Sequence, residues 1–535
     1  VVIVSFILAE SLDKMRDLSG KEMGIMTAIT GLYGLVNAFS DKLFVPSIYG
    51  AFGLLAATLI MLFLLNSDKI TFSKKQFRGI VLGMTALVIF LNAKWFITSG
   101  DDSYTHLDTY VSAGNSKKKI SGTALKHLDE VPGADTDEFY RSTNLVTTGT
   151  LRSSSLLYGY NDVSTFSSTL NGGIVNYNNA MGNCRWNIVS IYDYNFRTYL
   201  NTLASVKYMG VAKKNTATIP YGYKKVQETK NKYYSIYENQ YSLPLGYTYD
   251  KIVNADRIDQ YSAAEKQETT MLAAIVEDKD MDKNSNLTVA TKLPLTAQKL
   301  KIKNIKLNGV SMTKDTIEIE KPGATMKFSF EAPANAETYL SLVGDIYAEK
   351  DAKEHFITAR IKAPGVKYGH KFRIDAYTTG QKEYLFNLGY REGAVKTCTL
   401  KFVGTGTLKY KDLALYSQTM SNYADRVNAL KENSLKNAKA EKNTVTGNIT
   451  VDKDKMLVVT LPYQKGWTAY VDGKKTDIQR VNYQYIGINL KKGTHDIKLH
   501  YQLPGIKLAF MITGCGIIAF VAIIIFNIVR KRRKN

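Results

Sequence analysis

Apolar runs long enough to matter to a bilayer sit only at the two ends of this chain, and the roughly 400 residues between them are polar, lysine-rich and broken into short segments. Three runs fall in the first hundred residues, at 23–39, 46–65 and 79–98, and a fourth closes the chain at 506–529. Each approaches the ~20 apolar residues that cross a hydrocarbon core as a helix. The run at 23–39 is the shortest, and its Gly24, Ala28 and Gly31 equally suit close helix–helix packing. Soluble cores rarely hold uncharged runs of such length, so the expected architecture is a polytopic α-helical membrane region carrying a large extracytoplasmic part.

The chain opens at Val1 inside the apolar VVIVSFILA, with no basic leader and no small-residue cleavage site. That opening reads as the tail of a transmembrane helix, so the chain is expected to be the C-terminal part of a larger membrane protein. The basic cluster Arg530, Lys531, Arg532, Arg533 and Lys534 places the C-terminus in the cytoplasm by the positive-inside rule. Working backwards, the region between Thr98 and Ile506 lies outside. The loop with Lys69, Lys74, Lys75 and Arg78 is then inside, Asp41 and Lys42 are outside, and Lys14, Arg16 and Lys21 are inside. The alternation closes without contradiction.

The 535 residues allow three or four domains. Lys and Arg total 70 against 48 Asp and Glu, a net charge of +22, and 55 of the 70 are Lys. Charge carried on Lys rather than Arg argues against bidentate reading of nucleic acid, as does an outer location. The outer region alone holds 55 basic and 42 acidic residues, or +13. Such a field attracts anionic partners, either phospholipid headgroups or anionic wall polymers. A generally Lys-rich proteome accounts for the same excess. Three cysteines, Cys184, Cys398 and Cys515, make no disulfide framework, although a Cys184–Cys398 bond is open.

Compositional zones divide the outer region into an expected mixed α/β domain at 100–285, a β-sandwich-like domain with a trailing helix at 286–435, and a small β domain at 436–505; residues 1–99 and 506–535 are the membrane parts. Sixteen of the 35 tyrosines fall between Tyr140 and Tyr249. They suit either sugar stacking or half-buried strand surfaces. Residues 261–276 read as an amphipathic helix, and 417–434 as another. Runs such as TIEIE, MKFSF and KFRIDAY alternate with the period of two of an antiparallel sandwich. Asp472-Gly473 marks a hairpin turn.

No local catalytic motif is present: the six His lack zinc spacing, Gly404-Thr405-Gly406 lacks a third glycine, and no GxSxG occurs. His495 and His500 lie five apart on an expected strand and face opposite sides. Lys94, beside Trp95 near the outer end of a span, suits either a lipid phosphate or a snorkelling lysine at the interface. Asp101 and Asp102 suit either a metal or hydroxyl acceptor, or a polar helix end.

The stretches FYRSTN (139–144), LLYGYNDVSTFSSTLN (156–171), LASVKYMGV (203–211), YSIYENQYSLPLGYTYD (234–250), LPYQKGWTAYVDGKK (461–475) and GTHDIKLHYQLPG (493–505) carry a family likeness. In this order, before one closing span and a basic tail, they resemble the C-terminal part of the YfhO family of bacterial polytopic membrane proteins. The resemblance implies a GT-C type glycosyltransferase. Such an enzyme takes a sugar from a lipid carrier, here undecaprenyl phosphate, and transfers it on the outer face of the plasma membrane to an envelope acceptor such as the lipoteichoic acid of Gram-positive bacteria. It also implies an essential acid in a first outer loop, which this chain begins after, so no catalytic residue is assigned. The reaction needs a carboxylate to activate or orient the acceptor hydroxyl, often with a divalent metal, and cations to hold the phosphate leaving group. Lys94 and Arg141 are the substrate-binding candidates for that second role; Arg141 also suits a structural ion pair with a nearby carboxylate. The competing expectation is a non-enzymatic membrane-anchored module that binds anionic wall polymers or assists a transferase. A transporter is a weaker third, because it leaves 400 outer residues unexplained.

Overall fold

The computed structural model describes residues 19–38, 73–97, 138–145, 155–212, 219–228, 234–344, 356–373, 380–392 and 397–533, with isolated positions between 53 and 153. The opening apolar run, most of 46–65, Asp41, Lys42, Lys69, Asp101 and Asp102 lie outside the described residues. Two compact units are present, Val1–Lys119 and Ile120–Asn535.

In the first unit, Gly20–Ala38 and Lys74–Ile97 are helices. Each begins on a reciprocal cap. Ser19 Oγ accepts from Glu22 N while Glu22 accepts from Ser19 N, and Ser73 with Gln76 repeats the arrangement. Both are the S-x-x-E/Q capping box, which satisfies two otherwise orphaned helix donors.

The expected polytopic helical membrane region is corrected by this structure. The described chain is mostly paired β-strand, and among the described residues one helix, Ile506–Arg532, is long and apolar enough to cross a membrane. The physical reason lies in where apolar residues fall. In strands such as Thr325–Ser329 and Thr397–Val403 they alternate with polar ones, at a period that buries one face of a sheet. Near the start, Gly20–Ala38 opens on Lys21 and Glu22 and is diluted by Thr27, Thr30, Asn37 and its glycines.

The second unit contains two sandwiches. In the first, a four-stranded antiparallel sheet (Gln298–Leu300, Asp412–Thr419, Ala336–Val343, Glu383–Arg391) faces a five-stranded one. The five-stranded sheet runs Lys303–Asn308, Thr325–Ser329, Thr397–Val403, Phe356–Ala363, Val366–Arg373. Between them Met326, Phe328, Ile361, Leu400 and Phe402 meet Leu340, Leu342, Phe386 and Leu415, all at most 3% exposed. Each such side chain contributes roughly 1.5–3 kcal/mol on burial. Cys184 and Cys398 end in this core as free thiols, so the bond left open above is not formed.

In the second sandwich, a sheet of Lys436–Glu441, Thr444–Val451, Gly493–Tyr501, Trp467–Val471 and Lys474–Thr476 packs on a seven-stranded sheet. That larger sheet mixes distant segments. Gly246–Tyr249 pairs with Lys455–Pro462, and Ala274–Val276 lies between Lys251–Asn254 and Gln479–Val481. It is covered on both faces, which is why Lys455–Pro462 and Tyr485–Leu490 read as near-continuous apolar runs. The Asp472-Gly473 hairpin forms with both residues at positive φ, 52° and 76°.

Two helices are shorter than the sequence pattern suggests. The first is Ala263–Thr269, opened by a Ser262–Glu265 capping box; it stops there because Ala274–Val276 is held in the large sheet. The second is Tyr423–Glu432, because the residues through Thr419 belong to the strand Asp412–Thr419.

Candidate functional site

Lys94 is exposed on the helix Lys74–Ile97 in the first unit. Arg141 opens the strand Arg141–Leu145 in the second. Its Nη1 donates to Ala204 O (3.1 Å) and Thr460 Oγ1 (3.0 Å), and Nη2 donates to Thr460 O (2.7 Å). The guanidinium lies over the Phe139 ring at 4.9 Å. Burial pulls its pKa below the usual arginine range. The geometry makes Arg141 a joint between the segment at 141–206 and the strand Lys455–Pro462.

The tyrosine-rich zone is largely interior. Tyr177, Tyr199, Tyr208, Tyr247 and Tyr249 are at most 2% exposed. Tyr247 donates to Leu203 O at 3.0 Å and Tyr249 to Thr270 O at 2.5 Å, so these hydroxyls hold backbone rather than wait for a ligand. His495 sits between Asp472 Oδ2 (2.8 Å) and Lys491 O (2.9 Å), while His500 meets Thr444 Oγ1 at 3.0 Å. Among the described residues no group of three His, Cys, Asp or Glu is placed to hold a metal ion.

Among the described residues, a cleft of about 380 Å³ lies beside the large sheet. Ligand pockets run from roughly 300 to 1,000 Å³. Val253, Ile258 and Ala290, all nearly inaccessible, make its floor. Its rim carries Arg257, Gln260, Tyr261, Thr291 and Lys292. The strand Lys251–Asn254 pairs in parallel with Thr288–Val289, and Ala290 N donates to Ile252 O at 2.8 Å. This pairing brings two rim segments more than thirty residues apart to one place. After the strand, Asn254 caps the turn Ala255–Ile258 by accepting from Asp256 N at 2.8 Å. Gln260 Nε2 donates to Arg257 O at 3.0 Å, which holds this rim side chain against the turn.

Neither Arg257 nor Lys292 has a carboxylate partner among the described residues, and the cleft lining contains no acid. Two uncommitted cations, an amide, a hydroxyl and a half-buried tyrosine ring are the groups that hold a phosphate next to a sugar. The cations make charge-assisted bonds to the phosphate, and the amide and hydroxyl match the sugar's hydroxyls.

Sequence reading passed over this site. Tyr261 reads as the start of a helix, and no motif joins ADRIDQY (255–261) to TKL (291–293). The only available signal was Arg257, one of 15 arginines in a lysine-rich chain, on a short turn after a strand.

The sequence profile of the family described as "Bacterial membrane protein YfhO" matches residues 1–513. The chain belongs to the YfhO family. A protein of Bacillus subtilis (strain 168), "Uncharacterized protein YfhO", is 26% identical over 554 residues, which cover 98% of this chain and 58% of that protein. The chain thus spans less than two thirds of the length of that curated relative. Among solved structures, arabinofuranosyltransferase AftD from Mycobacteria aligns over 86% of this chain and 55% of its own, at 10% identity and a TM-score of 0.22. Allantoicase aligns over 38% of this chain and 86% of its own, at 11% identity and a TM-score of 0.13. TM-scores this low carry no argument about fold or activity. Family membership makes this a membrane protein, consistent with the apolar helix Ile506–Arg532 and its basic last turn of Arg530, Lys531 and Arg532.

Proposed function

We propose that this chain is part of a membrane glycosyltransferase that moves a sugar from an undecaprenyl-phosphate-linked donor to an anionic envelope polymer, such as lipoteichoic acid, on the outer face of the plasma membrane. In this reading the part of the second unit before Ile506 is extracytoplasmic, the basic tail after Ile506–Arg532 is cytoplasmic, and the cleft at Arg257 and Lys292 holds an anionic sugar group. The observation that carries the proposal is the cleft: unpaired cations beside a tyrosine ring and an amide, in a member of a membrane-protein family.

On this account Arg257 and Lys292 neutralise a phosphate, Gln260 and Thr291 orient hydroxyls, and Tyr261 offers a ring face to the sugar. Lys94, with an exposed ammonium, is the candidate for the carrier phosphate. Arg141 is the second candidate and would have to exchange its bonds to Thr460 to serve. A divalent metal, where the reaction uses one, would act with residues other than the cleft's, whose lining offers no carboxylate.

The second reading, a membrane-anchored module that binds anionic wall polymers without chemistry, is favoured by that same lack of an acid in the cleft. The test separates the two. Arg257→Ala/Lys292→Ala is introduced into the full-length protein in its host, and both polymer binding and sugar content of lipoteichoic acid are read. Loss of sugar substituents supports the transferase. Loss of binding with unchanged sugar content supports the module.

A further inference from the structure

The five-stranded sheet of the first sandwich buries one face in the core and leaves the other open. Alternation along each strand therefore decides what the open face displays. In Thr325–Ser329 the outward residue at the centre is Lys327; in Thr397–Val403 it is Lys401, flanked by Thr397, Thr399 and Val403. In Phe356–Ala363 the outward residues include Thr358, Arg360 and Lys362, and in Val366–Arg373 they include Lys367, Gly369 and Lys371.

The register aligns them in rows. Lys327 pairs with Thr399, Thr399 with Lys362, and Lys362 with Lys367. The next row runs from Thr325 through Lys401 and Arg360 to Gly369. A third joins Val403, Thr358 and Lys371. Adjacent strands are about 4.8 Å apart and rows about 6.8 Å apart, so six cations share one small surface. No outward position among the described residues of these four strands holds a carboxylate. Lys327, Arg360, Lys362, Lys367 and Lys401 have no ion-pair partner among the described residues. Threonine hydroxyls fill the gaps, and Gly369 leaves an opening beside Arg360, with the methyl of Thr358 and Cγ of Arg360 bordering it.

Like charges placed directly opposite on a sheet destabilise it, so a face with this many cations and, among the described residues of these strands, no acids has a cost that a bound polyanion would remove. A single small anion would need one or two of these groups. Six cations in successive rows suit a linear chain of phosphates, with the hydroxyls donating to phosphate oxygens and intervening polyol units.

We propose that this sheet face is a docking track for a poly(polyol phosphate) chain, which it holds by its phosphodiester backbone. The inference rests on the reading above for the side of the membrane this unit faces, and it assigns the acceptor polymer a surface distinct from the cleft. Binding at the track is sequence-independent and driven by counterion release, so affinity falls steeply with salt.

The test uses the full chain in detergent and three probes: deacylated poly(glycerol phosphate), inorganic phosphate, and phosphatidylglycerol-containing vesicles. The track variant is Lys327→Gln/Arg360→Gln/Lys401→Gln. The control removes equal charge from the second sandwich, Lys436→Gln/Lys475→Gln/Lys498→Gln. The expected result is polymer binding weakened at least tenfold in the track variant, with a log–log salt slope shallower by about 2, and less than threefold change in the control. Inorganic phosphate should compete only at far higher phosphate-equivalent concentration than the polymer. Equal losses in both variants, unchanged polymer binding in the track variant, or an effect confined to the vesicles would each overturn the proposal. The readout is binding alone, so a track that binds polymer in a protein that transfers no sugar would leave this inference standing and remove the transferase reading.

Discussion

Removing Arg426 should open the seam that joins the helices Ala263–Thr269 and Tyr423–Glu432. Glu268 is fully buried, and its carboxylate accepts from Thr296 N, Thr296 Oγ1 and Ala297 N at 2.7–2.9 Å and from Arg426 Nη1 at 2.5 Å. Arg426 also donates through Nη2 to Pro294 O at 3.0 Å. The pair thus ties both helices to the loop at 294–297. Two unit charges about 4 Å apart attract by about 4 kcal/mol at an effective dielectric of 20, and desolvation offsets much of that. Breaking one side is different, because it strands a buried charge at a cost of about 3–5 kcal/mol. Arg426→Met should therefore speed amide hydrogen exchange at 263–270 and 423–432 by about two to three and a half decades, at 1.36 kcal/mol per decade. The double variant Glu268→Gln/Arg426→Met should be less damaged than the sum of its singles, with coupling of at least about 2 kcal/mol. A change below tenfold in Arg426→Met, or strict additivity in the double variant, would refute the reasoning.

Arg257→Ala and Lys292→Ala should each weaken binding of a sugar phosphate at the cleft about tenfold, read by calorimetry on the full chain, while leaving its unfolding temperature within a degree, since both side chains are exposed. His370 packs against Phe372, Tyr384 and Phe386 with Nδ1 3.0 Å from Cys184 O, and burial pulls its pKa down to about 4. The unfolded chain, with its histidine near 6.5, binds a proton first, so this contribution is complete above about pH 6.5 and is lost as pH falls toward 4, by up to about 3 kcal/mol. His370→Gln should flatten that slope in thermal unfolding followed by tryptophan fluorescence. Cys184 and Cys398 are buried, and burial pushes the Cys398 thiol up to about 12, so maleimide should label neither of them in the folded, detergent-solubilised chain and both after denaturation.

Strands of the first sandwich such as Thr325–Ser329 and Thr397–Val403 are legible because they alternate one buried residue with one outward residue, and the Asp472-Gly473 turn is legible because few dipeptides tolerate two successive positive φ values. Pairing is less accessible. Tyr247 and Val458 are neighbours across more than two hundred residues, and nothing local to either segment specifies the other. The helix expected through Val276 ends at Thr269 because Ala274–Val276 has a tertiary partner on each side, a demand that outweighs helical periodicity. The parallel pairing of Lys251–Asn254 with Thr288–Val289 assembles the cleft, so Arg257 and Lys292 could not be joined from spacing alone. Arg141 stands out by its place in the FYRSTN stretch, but its bonds reach Ala204, at the end of the short helix Thr198–Leu203, and Thr460, in a distant strand, which only folding brings to it.

The most direct test of the central proposal is the sugar content of lipoteichoic acid from the native host. The gene is deleted and then complemented with wild type or Arg257→Ala/Lys292→Ala, and the extracted polymer is examined by NMR. The account predicts that sugar substituents disappear on deletion, return with the wild-type protein and stay low with the variant. Full glycosylation in the deletion strain would contradict it.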